Sequence, residues 1–209
     1  MAKLAIFDLD GTLIDTNLMT ARAFRELTGR FGLPMPPESA IRDAIGLHDQ
    51  AFYRAIFPDA PAEALAGLSV EVERREGEIG AALGAGILFP GVAAMLERLR
   101  ARGVTLCLAS TGSRVHVRDM LACAGIRSLF GEVRCDAPDK RRMTGELLER
   151  FGKDGAAYAG DTLIDVAAAR GNGIPVYGAG FGYVKPRERT WFDAVADTPG
   201  QLAALLLDD

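Results

Sequence analysis

The chain alternates short, unbroken apolar runs with stretches whose apolar residues recur at helical spacing. The first run is Leu4-Ala5-Ile6-Phe7, which stops at Asp8 with Gly11 close behind. A run this short, bounded by turn residues, reads as a buried strand rather than a helix. Val104 to Ala109 is a second, ended by Ser110-Thr111-Gly112, and Val133-Arg134-Cys135 is a weaker third. Ala156 to Ala159 is a fourth, ended by Gly160-Asp161. Ile174-Pro175-Val176-Tyr177 is a fifth, whose proline suits the first residues of a strand.

Helical patterns fill the gaps. Val92, Met95, Leu96 and Leu99 precede Gly103; Val117, Met120, Leu121 and Ala124 precede Gly125; Met143, Leu147, Leu148 and Phe151 precede Gly152. Each glycine is a natural helix stop. Strand and helix in alternation predict an α/β fold, a Rossmann-like parallel sheet with helices on both faces. Such sheets bind ligands at the carboxyl ends of their strands, where Asp8, Ser110 and Asp161 fall.

Residues 16–85 follow another rule. Phe24, Leu27, Thr28 and Phe31 share one helical face, Phe52 and Ile56 another, and Leu65, Leu68, Val72, Ile79 and Leu83 continue the spacing. We expect an all-helical cap inserted after the first strand, with residues 1–15 and 86–209 forming the core. The linkers are expected near Asp15-Thr16 and at Gly84-Ala85-Gly86 with Pro90-Gly91. No internal repeat points to a solenoid.

Asp8-Leu9-Asp10-Gly11-Thr12 puts two carboxylates at the end of a buried strand, which is costly without a compensating cation or hydrogen bonds. An acidic turn is the plainer alternative. A second acidic pair, Asp161 and Asp165, also follows an apolar strand and shares one face of a helical turn. Carboxylates converging from both clusters repel unless a hard divalent cation sits among them, and oxygen-only ligands favour magnesium or calcium. Ser110-Thr111-Gly112 offers a hydroxyl and backbone N–H groups as an anion cradle, or a simple helix N-cap. Lys140 opens a helix, where the dipole disfavours a cation; it is placed there for another partner or is a solvated lysine beside Arg141 and Arg142.

These residues resemble the haloacid dehalogenase superfamily, specifically its phosphatases and phosphomutases with a helical cap. The motif Phe7-Asp8-Leu9-Asp10-Gly11-Thr12-Leu13 carries the resemblance, with Gly160-Asp161 through Asp165, the order of motifs, and Phe89-Pro90-Gly91-Val92 at the return to the core. It implies Asp8 as nucleophile and Asp10 as acid and base. It implies magnesium held by Asp8, the backbone carbonyl of Asp10, and Asp161, with Asp165 orienting its surroundings. Ser110, Thr111, Gly112 and Lys140 would hold the phosphoryl group. Lys140 stands before Arg141 where the family usually has proline, so Lys153 and Lys185 remain alternative lysines. Ala44-Ile45-Gly46-Leu47 resembles phosphoglycolate phosphatases and related pyrophosphatases, which implies a small anionic phosphate ester. Arg22, Arg42, His48 and Tyr53 are candidates to face it, each with a surface or core reading beside it; His116 falls on a core helix and carries no assigned role.

A sugar phosphomutase or pyrophosphatase of the same family is the nearest alternative, and a non-catalytic module binding phosphate and magnesium a more distant one. A dehalogenase is disfavoured, because Asp10 would have no alkoxide to protonate. The remaining properties narrow the partners. A formal net charge of -4 argues against a nucleic-acid ligand, and no stretch is long enough for a membrane span. Cys107, Cys123 and Cys135 show neither a disulfide framework nor zinc spacing. The amino-terminal apolar run is too short for a signal peptide. The expectation is a cytoplasmic monomer or homodimer acting on a small molecule.

Overall fold

A computed structural model describes residues 2–208. Six strands form one parallel sheet: β1 (Leu4–Phe7), β2 (Thr105–Ala109), β3 (Glu132–Arg134), β4 (Ala156–Gly160), β5 (Val176–Ala179) and β6 (Ala194–Ala196), in the order β3-β2-β1-β4-β5-β6. From β1 the chain first builds outward through β2 and β3, then returns to β1's other edge for β4. The order therefore reverses between β1 and β4, and the crevice beyond their carboxyl ends is the expected ligand position.

Side-chain alternation on β1 divides the core. Ala5 and Phe7 face one side, packed with α5 (Val92–Ala101), α6 (Arg114–Cys123) and α9 (Pro199–Leu207). Leu4 and Ile6 face the other, against α7 (Lys140–Phe151) and α8 (Leu163–Gly171). Both faces are covered, which is why β1 and β4 are buried along their whole length and read as unbroken apolar runs.

Between β1 and β2 lie α1 (Thr16–Leu27), α2 (Glu38–Ala44), α3 (Gln50–Ile56) and α4 (Ala62–Leu83). Phe24 of α1 packs its ring 5.8–6.1 Å from Phe52, Tyr53 and Phe57, giving this segment its own aromatic centre. Leu83 differs from the expected apolar face: it is 38% exposed, because it closes the last turn of α4 before a 3-10 turn at Gly84–Ile87.

Three further differences from the sequence pattern stand out. β6 and α9 were not anticipated. The fifth strand begins at Val176, just beyond Pro175. Pro175 still meets the sheet, since the Tyr158 N–H donates to its carbonyl at 2.9 Å. Among the described residues, no helix is long and apolar enough to cross a membrane.

Candidate active site

Strand ends deliver the polar groups. Asp8 follows β1, Ser110 follows β2, Asp161 follows β4, and Lys140 is the first residue of α7 after β3. All are at least 98% buried. Carboxylate oxygens of Asp8, Asp161 and Asp165 lie within 4.8 Å of one another. Lys140 Nζ reaches Asp8 Oδ1 and Asp165 Oδ1, both at 2.8 Å. Lys153 and Lys185 lie elsewhere: Lys153 is exposed, and Lys185 pairs with Asp43 at 2.5 Å.

The acidic residues differ in what they have left to offer. Asp165 caps α8: its Oδ2 accepts from Asp161 N–H, Thr162 N–H and the Thr162 hydroxyl, while Oδ1 takes Lys140. It is saturated. Asp161 Oδ1 accepts from Thr12, but its Oδ2 has no hydrogen-bond partner, and neither has Asp8 Oδ2. Burial pushes Asp8 up to about 7, only partly offset by Lys140, with Asp165 and Asp10 adding repulsion. Asp161 is raised well above its ordinary value by burial, Asp8 and Asp165. Ionised together, the three carboxylates would carry two more negative charges than Lys140 offsets, which is why burial favours protons on Asp8 and Asp161 when no cation is bound. The two orphaned oxygens, on carboxylates gathered within 4.8 Å, fit a hard divalent cation.

Close backbone approach makes room for this arrangement. Gly11 has φ +79°, and a Cβ there would stand 2.6 Å from Asp161 Oδ2. Any side chain at Gly182 would collide with the Gly11 carbonyl oxygen. Tyr183 then spans to the start of the helical segment, donating to Asp15 Oδ1 at 2.5 Å and accepting from Asn17 N–H at 2.7 Å.

Asp10 points away from this cluster. Its Oδ1 accepts from Thr16 at 2.6 Å and meets His116 Nε2 at 2.7 Å; Ser110 Oγ donates to its Oδ2 at 3.4 Å. Burial alone would raise Asp10, but His116, Thr16 and Lys140 together hold it below its ordinary value. Burial opposes the charge on His116, yet Asp10 and Glu76 of α4, 3.5 Å from Nδ1, raise it well above the usual histidine value. The Asp10–His116 pair thus holds a proton, and Glu76 ties it to the helical segment. Thr20 donates to Glu76 in turn. His116 carried no role in the sequence pattern. It lies one turn before Met120 on the buried face of α6, near the end of β2, and that spacing was the available signal.

Thr111 and Gly112 have local commitments here. The Thr111 hydroxyl donates to the Gly46 carbonyl at 2.8 Å, and the Gly112 N–H donates to Ser110 Oγ at 3.0 Å. Beside Asp10 opens a cavity of about 430 Å³, walled by core residues including Thr111 and by Asp49, Phe52, Tyr53 and Glu73 of the helical segment. Of the residues expected to face a substrate, His48 and Tyr53 line it, but Arg22 and Arg42 do not. Arg22 pairs with Glu26 at 3.5 Å on α1, and Arg42 lies over the Tyr183 ring.

The sequence profile of the haloacid dehalogenase-like hydrolases matches residues 5–179. The chain belongs to that family. Among its curated relatives is the phosphoglycolate phosphatase of Synechococcus elongatus, 34% identical over 187 residues, covering 85% of this chain and 84% of that protein. Another is the probable phosphatase IndB of Dickeya dadantii, 30% identical over 190 residues, covering 87% and 83%. A crystal structure described as a predicted phosphoglycolate phosphatase from Haemophilus somnus superposes with a TM-score of 0.86, covering 98% of this chain and 97% of the other. At 23% identity that likeness speaks for the fold. These relatives put this family member among the phosphatases, as a phosphoric monoester hydrolase.

Proposed function

We propose that this hydrolase is a magnesium-dependent phosphatase that cleaves a small phosphate monoester through a phosphorylated Asp8. The observation that carries the reading is Asp8 itself: it is buried at the sheet's switch point, with Oδ1 held by Lys140 and Oδ2 free of any hydrogen bond. Asp8 and Asp161 would hold the cation, with the Asp10 carbonyl, and Asp165 would fix Lys140 and the turn around Asp161. Bound magnesium would supply charge neutralisation for the phosphoryl oxygens, which is most of what phosphoryl transfer asks of a protein.

In the first step an Asp8 oxygen bonds to phosphorus and the ester P–O bond breaks, its electron pair staying on the alcohol oxygen. The proton held by the Asp10–His116 pair passes from Asp10 to that oxygen. In the second step Asp10 takes a proton from water, which attacks the phosphorus, and Asp8 leaves as a carboxylate with inorganic phosphate released. Lys140 offsets charge on Asp8 and the phosphoryl group throughout. Ser110, with Thr111 and Gly112, is assigned to the phosphoryl oxygens, which requires the Ser110 hydroxyl to turn from Asp10 Oδ2, and the Gly112 N–H from Ser110 Oγ, when substrate enters.

Phosphate release from p-nitrophenyl phosphate and from 2-phosphoglycolate, with and without magnesium, tests the reading on wild type and Asp8→Asn. Release should need the metal and fall by about 10⁴-fold or more in the variant. Release by Asp8→Asn at wild-type rate would sink the covalent mechanism.

A further inference from the structure

We propose that Glu76 of α4 is a positioning residue for the acid–base carboxylate: it holds the His116 ring so that Nε2 stays on Asp10. The inference rests on the reading of Asp10 as the acid of the leaving oxygen. It adds that the inserted helices complete that acid.

The placement of Glu76 is the first observation. The buried face of α4 includes Leu65, Leu68, Val72, Glu76 and Ile79, so a carboxylate stands in an otherwise aliphatic stripe. At 7% exposure its burial is costly unless its oxygens are met, and an aliphatic residue of similar size would serve the packing as well. Both oxygens have partners: Oε1 accepts from the Thr20 hydroxyl, and Oε2 lies 3.5 Å from His116 Nδ1.

These contacts close a circuit around Asp10. His116 Nε2 meets Asp10 Oδ1 at 2.7 Å, and Thr16 donates to the same oxygen at 2.6 Å. Thr20 stands one turn beyond Thr16 on α1 and joins Glu76. All five side chains line the cavity beside Asp10. The imidazole edge also packs on the backbone, since a Cβ at Gly112 would stand 3.0 Å from its Cδ2. What one ring nitrogen binds sets what the other offers. With Nδ1 held by Glu76, Nε2 is left for Asp10. Without Glu76 the ring is free to turn about its Cβ–Cγ bond, a soft torsion, and the contact with Asp10 Oδ1 loosens. Asp10 Oδ2, which faces Ser110, then loses its aim. Small misplacements of a proton donor are expensive in rate. A core carboxylate thus takes its posture from a helix of the inserted segment.

The test compares esters by leaving group on the wild-type enzyme with magnesium. Phenyl phosphate and 2-phosphoglycolate release oxyanions that leave poorly without a proton; p-nitrophenyl phosphate releases one that leaves well. Misplacing the acid costs the first kind more. For Glu76→Ala we expect kcat/KM to fall by about thirtyfold on the first two and about threefold on the third. Glu76→Gln keeps an oxygen for His116, and its amide can donate to Thr20, whose hydroxyl already reaches the Thr16 carbonyl at 3.1 Å. It should restore kcat/KM to within about threefold of wild type on all three. Thr20→Val removes the hydroxyl that steadies Glu76 and should lower phenyl phosphate turnover by about threefold with p-nitrophenyl phosphate unchanged; this variant decides if Glu76→Ala does not fold. Equal losses on all esters, no loss, or a Gln variant as impaired as the Ala variant would overturn the inference and leave the phosphatase reading standing. Wild-type release from p-nitrophenyl phosphate alone would overturn it too, since no acid would be at work. No release from any of the three would overturn both.

Discussion

In the acidic cluster at the strand ends, Lys140 lies buried between Asp8 and Asp165, 2.8 Å from each, and every group arrives from the end of a core strand or the first turn of a core helix. At the other end, the cavity beside Asp10 is walled largely by α3, α4 and the turn before α3, and its carboxylates meet no lysine or arginine among the described lining residues. The first region is held by packing on both faces of a sheet and concentrates three carboxylates around one buried ammonium. The second is walled in large part by the helical segment, and its carboxylates are met by histidine, hydroxyl groups and an exposed arginine. On the function proposed above, the strand ends would carry the reaction and the helices between β1 and β2 would meet the alcohol half of the ester.

Breaking the first region should have the largest effect. Lys140→Met leaves the Asp8 and Asp165 carboxylates buried without their ammonium, and we expect a loss of about 3–5 kcal/mol in unfolding free energy of the metal-free protein, measured by denaturant titration. Lys140→Arg should not restore it, because a planar guanidinium does not fit a site 2% exposed and shaped for a point charge. A loss under about 1 kcal/mol for Lys140→Met would mean that the carboxylates protonate without strain and that this ion pair contributes little to the fold.

The seam between the two regions is His116, which touches Asp10 of the core and Glu76 of the inserted helices. We treat it as a positioning residue for Asp10. His116→Gln and His116→Ala should lower kcat alike, by about 10- to 100-fold, with KM for the ester within about twofold, since neither replacement can share a proton with Asp10. Steady-state kinetics on p-nitrophenyl phosphate decide it. A rise in KM at constant kcat would make His116 a binding residue of the cavity instead.

The same division explains what could be read before any coordinates. β1, β2 and β4 are buried on both faces, so their unbroken apolar runs announced them, and the polar residues that end them were found with them. β6 escaped because Ala194–Ala196 is a short, half-buried edge strand with neither a long run nor a full alternation. Lys140 stood out because a lysine at a helix start needs a reason; its reason, Asp8 and Asp165, lies 132 and 25 residues away in sequence. The helical segment was legible as helices but not as a wall. Which face of α4 looks at Asp10 depends on how the segment docks, and no periodicity in Glu73 and Glu76 reveals that. His116 was missed for the same reason: one histidine on a core helix looks structural until Glu76 and Asp10 are seen on either side of its ring.

The smallest expected effect sharpens the comparison most directly. Arg42 is exposed, its guanidinium carbon 5.5 Å from the Tyr183 ring centroid, and Arg22 is exposed beside Glu26. Neither lines the cavity. Arg42→Ala removes a surface cation–π contact with about 0.5–1 kcal/mol of stability, and Arg22→Ala removes an exposed i,i+4 pair of about 0.3–0.5 kcal/mol. Both variants should keep kcat/KM within about twofold for neutral and anionic esters alike. A tenfold loss confined to 2-phosphoglycolate in Arg42→Ala would show that the helical segment swings this arginine over the alcohol during turnover. The lining of the cavity would then describe the resting enzyme rather than the one that holds the ester.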